Sequence, residues 1–187
     1  MKSIAITGSP GSGKSTALKI FKSLGFPAIG CDAIVAKLYK TRLVKKRLSM
    51  LFGTSSKKSL LSIMLSSKKK RALLEKTLHP LVWKQLRKML SSFKKQGKAV
   101  VFVEVPLLFE AKWQKRFDSI IFVQASKKKC LQRLAKKGYS KKHALLLWNA
   151  QLSPAKKIKS SHYAINNNEG LAKTRKRIKA LLDALWH

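Results

Sequence analysis

A glycine-rich motif near the start of the chain constrains its fold more than any other feature. Residues 8–15 read GSPGSGKS and fit the pattern G-x-x-x-x-G-K-[ST]. The apolar residues 4–6 precede the motif, and residues 16–21 continue it as an amphipathic helix. A strand, a glycine loop and a helix in this order form a P-loop, where backbone N–H groups and the helix N-terminus surround phosphate oxygens. The motif therefore predicts a nucleoside-triphosphate site rather than a glycine-rich turn that binds nothing.

Two side chains of the motif have defined chemistry. We expect Lys14 to reach the β- and γ-phosphates of ATP, and the Ser15 hydroxyl to hold Mg²⁺. The motif does not indicate which acceptor receives a phosphate. That information has to come from the rest of the chain.

The remaining sequence alternates between strand-like and helical segments, which predicts an α/β fold with a parallel sheet covered on both faces. At 187 residues the chain is expected to form a single domain. Residues 41–96 show apolar positions at helical spacing and no strand-like run, and residues 126–137 and 140–150 are two further helices rich in lysine. The predicted strands are residues 3–7, 27–29, 100–103, 120–123 and 163–165.

The charge of the chain is extreme, with 42 Lys+Arg against 7 Asp+Glu and a formal net charge of +35. The lysines lie on nearly every predicted helix and form neither a groove nor a tail. Ser126 and Ser140 are typical N-caps, yet lysines occupy the first turn after each, where the helix dipole favours acids. This surface predicts loose, salt-dependent and non-specific polyanion binding, which we interpret as a side effect and not as the function.

No apolar run is long enough to span a membrane, and the N-terminus enters a strand at once, so neither a membrane anchor nor a signal peptide is expected. Cys31 and Cys130 lack metal-ligand spacing and are expected to be free thiols in a reducing cytoplasm. A monomer or a small homo-oligomer is expected.

Three acids follow predicted strands and are candidates for chemistry. Asp32 comes directly after the second strand, where the carboxyl ends of parallel strands meet, and it is either an acid/base group or a helix N-cap. Glu104 and Glu110 flank the loop after the strongest strand, where an acid can assist Mg²⁺. Glu104 has the better position of the two, although either can also be a cap or an ion-pair partner.

Two basic side chains also have alternative interpretations. His79 precedes Pro80, which is predicted to open the long helix containing Trp83, and His79 either contacts an anionic acceptor or packs and caps. Arg133 lies on the first of the two lysine-rich helices, where an arginine either closes over transferring phosphates or faces solvent.

Taken together, these motifs resemble those of the dephospho-coenzyme A kinase family of P-loop kinases. They run in the order of the family across almost the whole chain, and the combination is far more specific than the P-loop alone. The matching stretches are residues 6–8 (ITG), 11–16 (GSGKST), 31–36 (CDAIVA), 78–82 (LHPLV), 105–110 (VPLLFE), 131–134 (LQRL), 150–151 (AQ) and 162–167 (HYAINN).

The resemblance implies a P-loop three-layer fold of about five parallel strands, and phosphorylation of the ribose 3′-hydroxyl of dephospho-CoA with ATP and Mg²⁺. It divides the chain into a core (1–35, 97–125, 160–187), a helical acceptor insert (36–96) and a helical lid (126–159). The implied site residues are Lys14, Asp32 and Arg133 for catalysis, Gly11, Ser12, Gly13, Lys14, Ser15, Thr16 and Asn166 for ATP and its metal, and Asp32, His79, Pro106 and Leu107 for the acceptor.

The chain departs from the family pattern at several positions. Gly30 stands where an acid is common, Leu147 and Trp148 occupy the region of a lid arginine, Asn166 replaces an Asp, and residues 136–137 (KK) replace an Arg-Asp pair. Two alternative functions are therefore kept: a P-loop kinase for a nucleoside or small alcohol, and a catalytically weakened, polyanion-binding protein on the same fold.

Overall fold

A five-stranded parallel sheet organises one of the two compact units of the chain. The structure is a computed structural model that describes residues 1–186. The sheet has the strand order β2-β3-β1-β4-β5, with neighbouring strands parallel, as the sequence predicted. The strands are β1 (Lys2–Gly8), β2 (Ala28–Gly30), β3 (Val100–Glu104), β4 (Ser119–Gln124) and β5 (Tyr163–Asn166).

The central strands are apolar along nearly their whole length because both faces of the sheet are covered. Every residue of β3 is buried, and β4 is buried from Ile120 to Val123. On one face, the ring of Phe102 stacks on that of Phe21 with their centroids 3.8 Å apart. In the register of the sheet, Ile6 lies opposite Glu104, so β1 and β3 end at the same edge. This edge is where the P-loop begins.

The helices cover the sheet or form the second unit. The first unit comprises Met1–Gly30 and the chain from Phe93 onward, and the second is Cys31–Ser92. In chain order the helices are α1 (Lys14–Ser23), α2 (Cys31–Leu38), α3 (Arg42–Phe52), α4 (Lys57–Ser66), α5 (Lys68–Lys95), α6 (Lys127–Lys136), α7 (Lys141–Asn149), α8 (Pro154–Lys159) and α9 (Leu171–Trp186), with a 3-10 turn at Gln114–Arg116. None of the described helices is long and apolar enough to cross a membrane.

The second unit is helical, as predicted, and has its own core. Val44 and Leu48 on α3 pack with Leu60 on α4 and with Leu74 and Leu78 on α5. This unit includes α2, which starts directly after β2. The division of the chain into a core, an acceptor insert and a lid stays a prediction.

The prediction that Pro80 opens a helix is wrong. Pro80 lies inside α5, which is continuous from Lys68 to Lys95. A proline in a helix removes one backbone hydrogen bond and disfavours the preceding turn. Here Thr77, Leu78 and Val82 are buried on both sides of it, so packing of the apolar face outweighs that local cost.

The two predicted N-caps in the lysine-rich segment are confirmed. Ser126 Oγ accepts a hydrogen bond from Lys129 N, and Ser140 Oγ accepts one from His143 N. Both helices therefore begin where the sequence predicts, although no acid supports either first turn. The short helix α8 was not predicted, because six residues show too little periodicity.

Candidate functional site

The P-loop joins β1 to α1, and at two positions its backbone has a conformation that favours glycine. Gly11 and Gly13 have φ angles of +76° and +100°, in the left-handed region. A Cβ at Gly11 would collide with the carbonyl oxygen of Cys130, and one at Gly13 with the side-chain amide of Asn167. Both glycines are therefore required by the close approach of neighbouring segments as well as by the turn itself.

The Lys14 side chain lies back along the loop that precedes it. Its Nζ donates to the carbonyl oxygens of Gly8 and Ser9 at 3.1 and 2.9 Å, and only 8% of the residue is exposed. These contacts hold a positive charge inside the curl of the P-loop. In loops of this kind the lysine reaches phosphate oxygens, and that role of Lys14 stays a prediction.

The first residue after this lysine links α1 to the end of β3. Ser15 Oγ donates to Glu104 Oε1 at 2.9 Å, and Glu104 is 5% exposed. A hydroxyl and a carboxylate are the hard oxygen ligands that Mg²⁺ prefers, usually together with water and substrate phosphates. The donor set therefore fits Mg²⁺. Among the described residues, no group of three or more His, Cys, Asp or Glu side chains could hold a metal ion.

Arg133 fastens α6 to the P-loop backbone. Its guanidinium donates to the carbonyl oxygens of Ser12 and Gly11 at 3.1 and 3.4 Å, and to that of Asn167 at 2.8 Å. Three carbonyl acceptors on two segments make use of the fork of donors that arginine presents. In this structure Arg133 therefore orders the P-loop from the side of α6.

Asn167 contacts the same loop and was missed by the sequence analysis. Its side-chain amide donates to the carbonyl oxygen of Ser12 at 2.7 Å and accepts from Thr174 Oγ1 at 2.7 Å. Asn167 and Thr174 are 4% and 0% exposed. The sequence does not single out Asn167, because it is the middle one of three consecutive asparagines. The alternation after Ile165, with Asn166 exposed and Asn167 buried, is the signal that distinguishes it.

With this geometry in place, comparison with known proteins gives a consistent result. The family model described as dephospho-CoA kinase matches residues 2–173. A dephospho-CoA kinase from Bartonella quintana is 30% identical over 192 residues, covering 99% of this chain and 98% of that protein. The chain belongs to the dephospho-CoA kinase family. The resemblance inferred from the motifs is thereby confirmed.

Solved structures agree with the family assignment. The crystal structure of a protein from Thermus thermophilus matches with a TM-score of 0.83 and 30% identity, covering 98% of this chain and 97% of the other. The structure of dephospho-CoA kinase from Campylobacter jejuni matches with a TM-score of 0.69 and 25% identity, covering 98% and 96%. The predicted P-loop kinase fold is confirmed.

Two of the residues predicted for catalysis and acceptor binding in this dephospho-CoA kinase homologue lie in the helical unit. Asp32 is exposed in the first turn of α2. Because α2 begins at Cys31, Asp32 lies inside the helix and not at its N-cap, which removes the capping interpretation. His79 is half-buried within α5, and burial lowers the pKa of its imidazole. Burial therefore favours the neutral form of the imidazole.

The loop after β3 carries the other predicted acceptor residues. Pro106 and Leu107 are half-buried in the turn that follows the strand. Glu110, at the end of this loop, accepts from Lys157 Nζ at 2.8 Å and from the backbone N–H of Leu152 at 2.9 Å. Of the two acids that were candidates to assist Mg²⁺, Glu104 is the one bonded to Ser15, whereas Glu110 Oε1 is occupied by a lysine and a backbone amide.

Asn166, predicted to border ATP, ends β5 and makes local contacts. Its Oδ1 accepts from the backbone and side-chain nitrogens of Asn168 at 2.9 and 2.8 Å. Asn168 in turn accepts from the backbone N–H of Ser126, and Lys129 donates to its carbonyl oxygen. The loop that follows β5 is therefore bonded to the start of α6. The adenine contact of Asn166 stays a prediction.

We expect Asn167→Ala to lower the free energy of unfolding by about 1–3 kcal/mol, because it removes the buried hydrogen bonds of this amide to the Ser12 carbonyl and to Thr174 Oγ1 and leaves Arg133 as the donor to that carbonyl. It should also weaken nucleotide binding, because the P-loop loses one of its supports. Urea unfolding and calorimetric titration with ADP measure the two effects. The matched control is the adjacent Asn166→Ala, which should lower stability less, because the hydrogen bonds of Asn166 Oδ1 are exposed. Equal stability of the two variants would contradict the supporting role of Asn167.

Proposed function

We propose that this chain transfers the γ-phosphoryl group of ATP to the ribose 3′-hydroxyl of dephospho-CoA, giving CoA and ADP. The observation that carries the proposal is the family match over residues 2–173 in a chain with an intact P-loop. In the reaction the 3′-oxygen forms a bond to the γ-phosphorus, and the bond from that phosphorus to ADP breaks. The hydroxyl proton is lost to a base and then to solvent.

The P-loop residues are proposed to bind the phosphates of ATP. The backbone of residues 11–16 and the N-terminus of α1 supply N–H donors, and Lys14 supplies the charge that neutralises the transferred group. Ser15 and Glu104 would hold Mg²⁺, which supplies further charge neutralisation when bound. Arg133 is proposed to aid transfer, both by holding the loop and by offering a planar cation close to it.

Asp32 is proposed as the group that orients the acceptor hydroxyl and accepts its proton. It is exposed and follows β2 by two residues, and β2 ends in register with Glu104. His79, Pro106 and Leu107 are proposed to bind the acceptor, and Asn166 to border the adenine of ATP. A neutral His79 can both donate and accept a hydrogen bond, which suits the polar groups of a nucleotide.

The alternative acceptors are a nucleoside or a small alcohol, and the same P-loop would serve them. We further propose a cytoplasmic location, which the free, buried thiol of Cys130 supports. A monomer or small homo-oligomer stays a prediction.

The decisive experiment is a coupled assay of ADP formation with dephospho-CoA, adenosine and shikimate as alternative acceptors. We expect turnover with dephospho-CoA, and Asp32→Asn should lower it about 10²–10⁴-fold while ADP binding stays near normal. Asparagine keeps the shape of the side chain but lacks the basic oxygen. Turnover with another acceptor alone would replace the proposed substrate, and an unchanged rate in Asp32→Asn would remove its catalytic role.

Arg133→Lys tests whether the fork of donors matters, because the charge is retained. Lysine cannot bridge the carbonyl groups of Ser12 and Asn167 in the same way, so we expect lower turnover and weaker ADP binding. The control is Lys136→Arg on the exposed side of the same helix, which should change neither. If Arg133→Lys is as active as the unaltered protein, bulk positive charge is sufficient.

Non-specific polyanion binding is proposed as a property of the +35 surface. Fluorescence anisotropy with two unrelated DNA duplexes should give equal affinities that fall steeply as salt is raised. A strong preference for one duplex that persists at high salt would show a specific nucleic-acid site instead.

A further inference from the structure

A lysine remote from the P-loop is almost completely buried. Lys157, on α8, is 1% exposed, whereas Lys156 beside it is exposed. Burial lowers the pKa of the Lys157 ammonium, although the Glu110 carboxylate acts in the opposite direction. Taking an ammonium out of water is costly unless its donors are satisfied. The hydrogen-bond partners of Lys157 therefore show which segments its buried ammonium connects.

Lys157 joins segments that belong to different parts of the kinase fold. Its Nζ lies 2.8 Å from Glu110 Oε1 and 2.8 Å from Gln151 Oε1. Glu110 ends the loop that carries the proposed acceptor residues. Gln151 and Leu152 follow α7 directly, and Leu152 donates its backbone N–H to Glu110 Oε1 at 2.9 Å. One ammonium and one carboxylate thus tie the exit of α7 to the loop after β3.

The two lysine-rich helices differ in how firmly they are attached. Besides the bonds of Arg133 to the P-loop, α6 buries Cys130 and Leu134. In contrast, α7 buries Ala144 as its one fully buried residue, within the described part of the chain. Gly138, with a φ of +87°, separates the two helices. A helical lid that closes and reopens would therefore consist of α7, with Gly138 at one end and the Lys157 contacts at the other.

We propose that Lys157 is a positioning residue for phosphoryl transfer: it fixes the end of α7 and the loop after β3 to each other, so that α7 closes at one defined place. This inference rests on the proposed function. Lys157 touches no reacting atom and acts through Glu110 and Gln151. Small displacements of groups that position a substrate are enough to lower rates substantially.

The test compares Lys157→Met with Lys156→Met, which removes the same charge from the exposed neighbour. We expect Lys157→Met to lower kcat and raise KM for dephospho-CoA, with kcat/KM falling about 10- to 100-fold. The affinity for ADP should be unchanged, because the P-loop contacts are elsewhere. Lys156→Met should leave all of these values unaltered. A Lys157→Met protein that loses only thermal stability, with kcat and KM intact, would overturn the proposal.

Two further measurements keep the proposal testable if Lys157→Met fails to fold. Gln151→Leu retains the Lys157–Glu110 pair but removes one of the two links to the end of α7, and it should lower kcat/KM in the same direction with a smaller loss of melting temperature than Lys157→Met. Normal kinetics in Gln151→Leu would also overturn the proposal. Glu110→Gln keeps an oxygen that can accept from both partners but removes the counter-charge of the buried ammonium, so it should lower both the melting temperature and kcat/KM.

Hydrogen exchange at the Leu152 amide separates this inference from the proposed function. If the unaltered protein does not phosphorylate dephospho-CoA, the proposed function is wrong. The attachment of the end of α7 to Glu110 can still be measured by exchange of the Leu152 N–H. Loss of Lys157 should free the Glu110 carboxylate to move and speed exchange of the Leu152 N–H, relative to Lys156→Met. Equal exchange rates of the Leu152 N–H in the two variants would show that Lys157 does not fix the end of α7 to the loop after β3.

Discussion

The site depends on the close approach of other segments to the backbone of the P-loop. The carbonyl oxygen of Ser12 accepts from both Arg133 and Asn167, and the left-handed Gly13 leaves no room for a Cβ beside Asn167. These hydrogen bonds restrict the orientation of the Ser12–Gly13 peptide, and a fixed backbone is what a phosphate-binding loop requires. The loop is thus preorganised by side chains more than 100 residues away in sequence.

Four acids of this chain are engaged by specific partners. Glu104 accepts from Ser15, Glu110 from Lys157, and Asp118 from the backbone and side chain of Ser3. Glu169 pairs with Lys173 and Arg177, whose hydrogen bonds lower the pKa of its carboxyl to about 2. In a protein of net charge +35, an exposed carboxylate has many lysines and arginines nearby. Opposite charge alone therefore does not determine these pairs, and the fixed geometry of each partner does.

Local sequence patterns predicted most of the fold, but they did not predict the contacts between segments that are distant in sequence. The glycine motif, the apolar strands and the caps at Ser126 and Ser140 were readable because each is encoded within a few neighbouring residues. Pro80 was misleading because burial on both sides of it keeps α5 continuous, which no local rule reports. Asn167 and Lys157 were missed because their roles depend on partners that folding brings together.

The attachment of α6 also changes how the departures from the family pattern are understood. Leu147 and Trp148 lie on α7, and Lys127 of α6 lies over the Trp148 ring at 6.0 Å from its centroid. At the position where the family has a lid arginine, this chain therefore has an aromatic ring on α7 that contacts a lysine on α6. Arg133 is bonded to the P-loop in this structure, so the position of its guanidinium does not depend on movement of α7. The departures on α7 and the bonds that order the P-loop therefore lie on different segments, and we expect the departures to affect the predicted lid more than nucleotide binding.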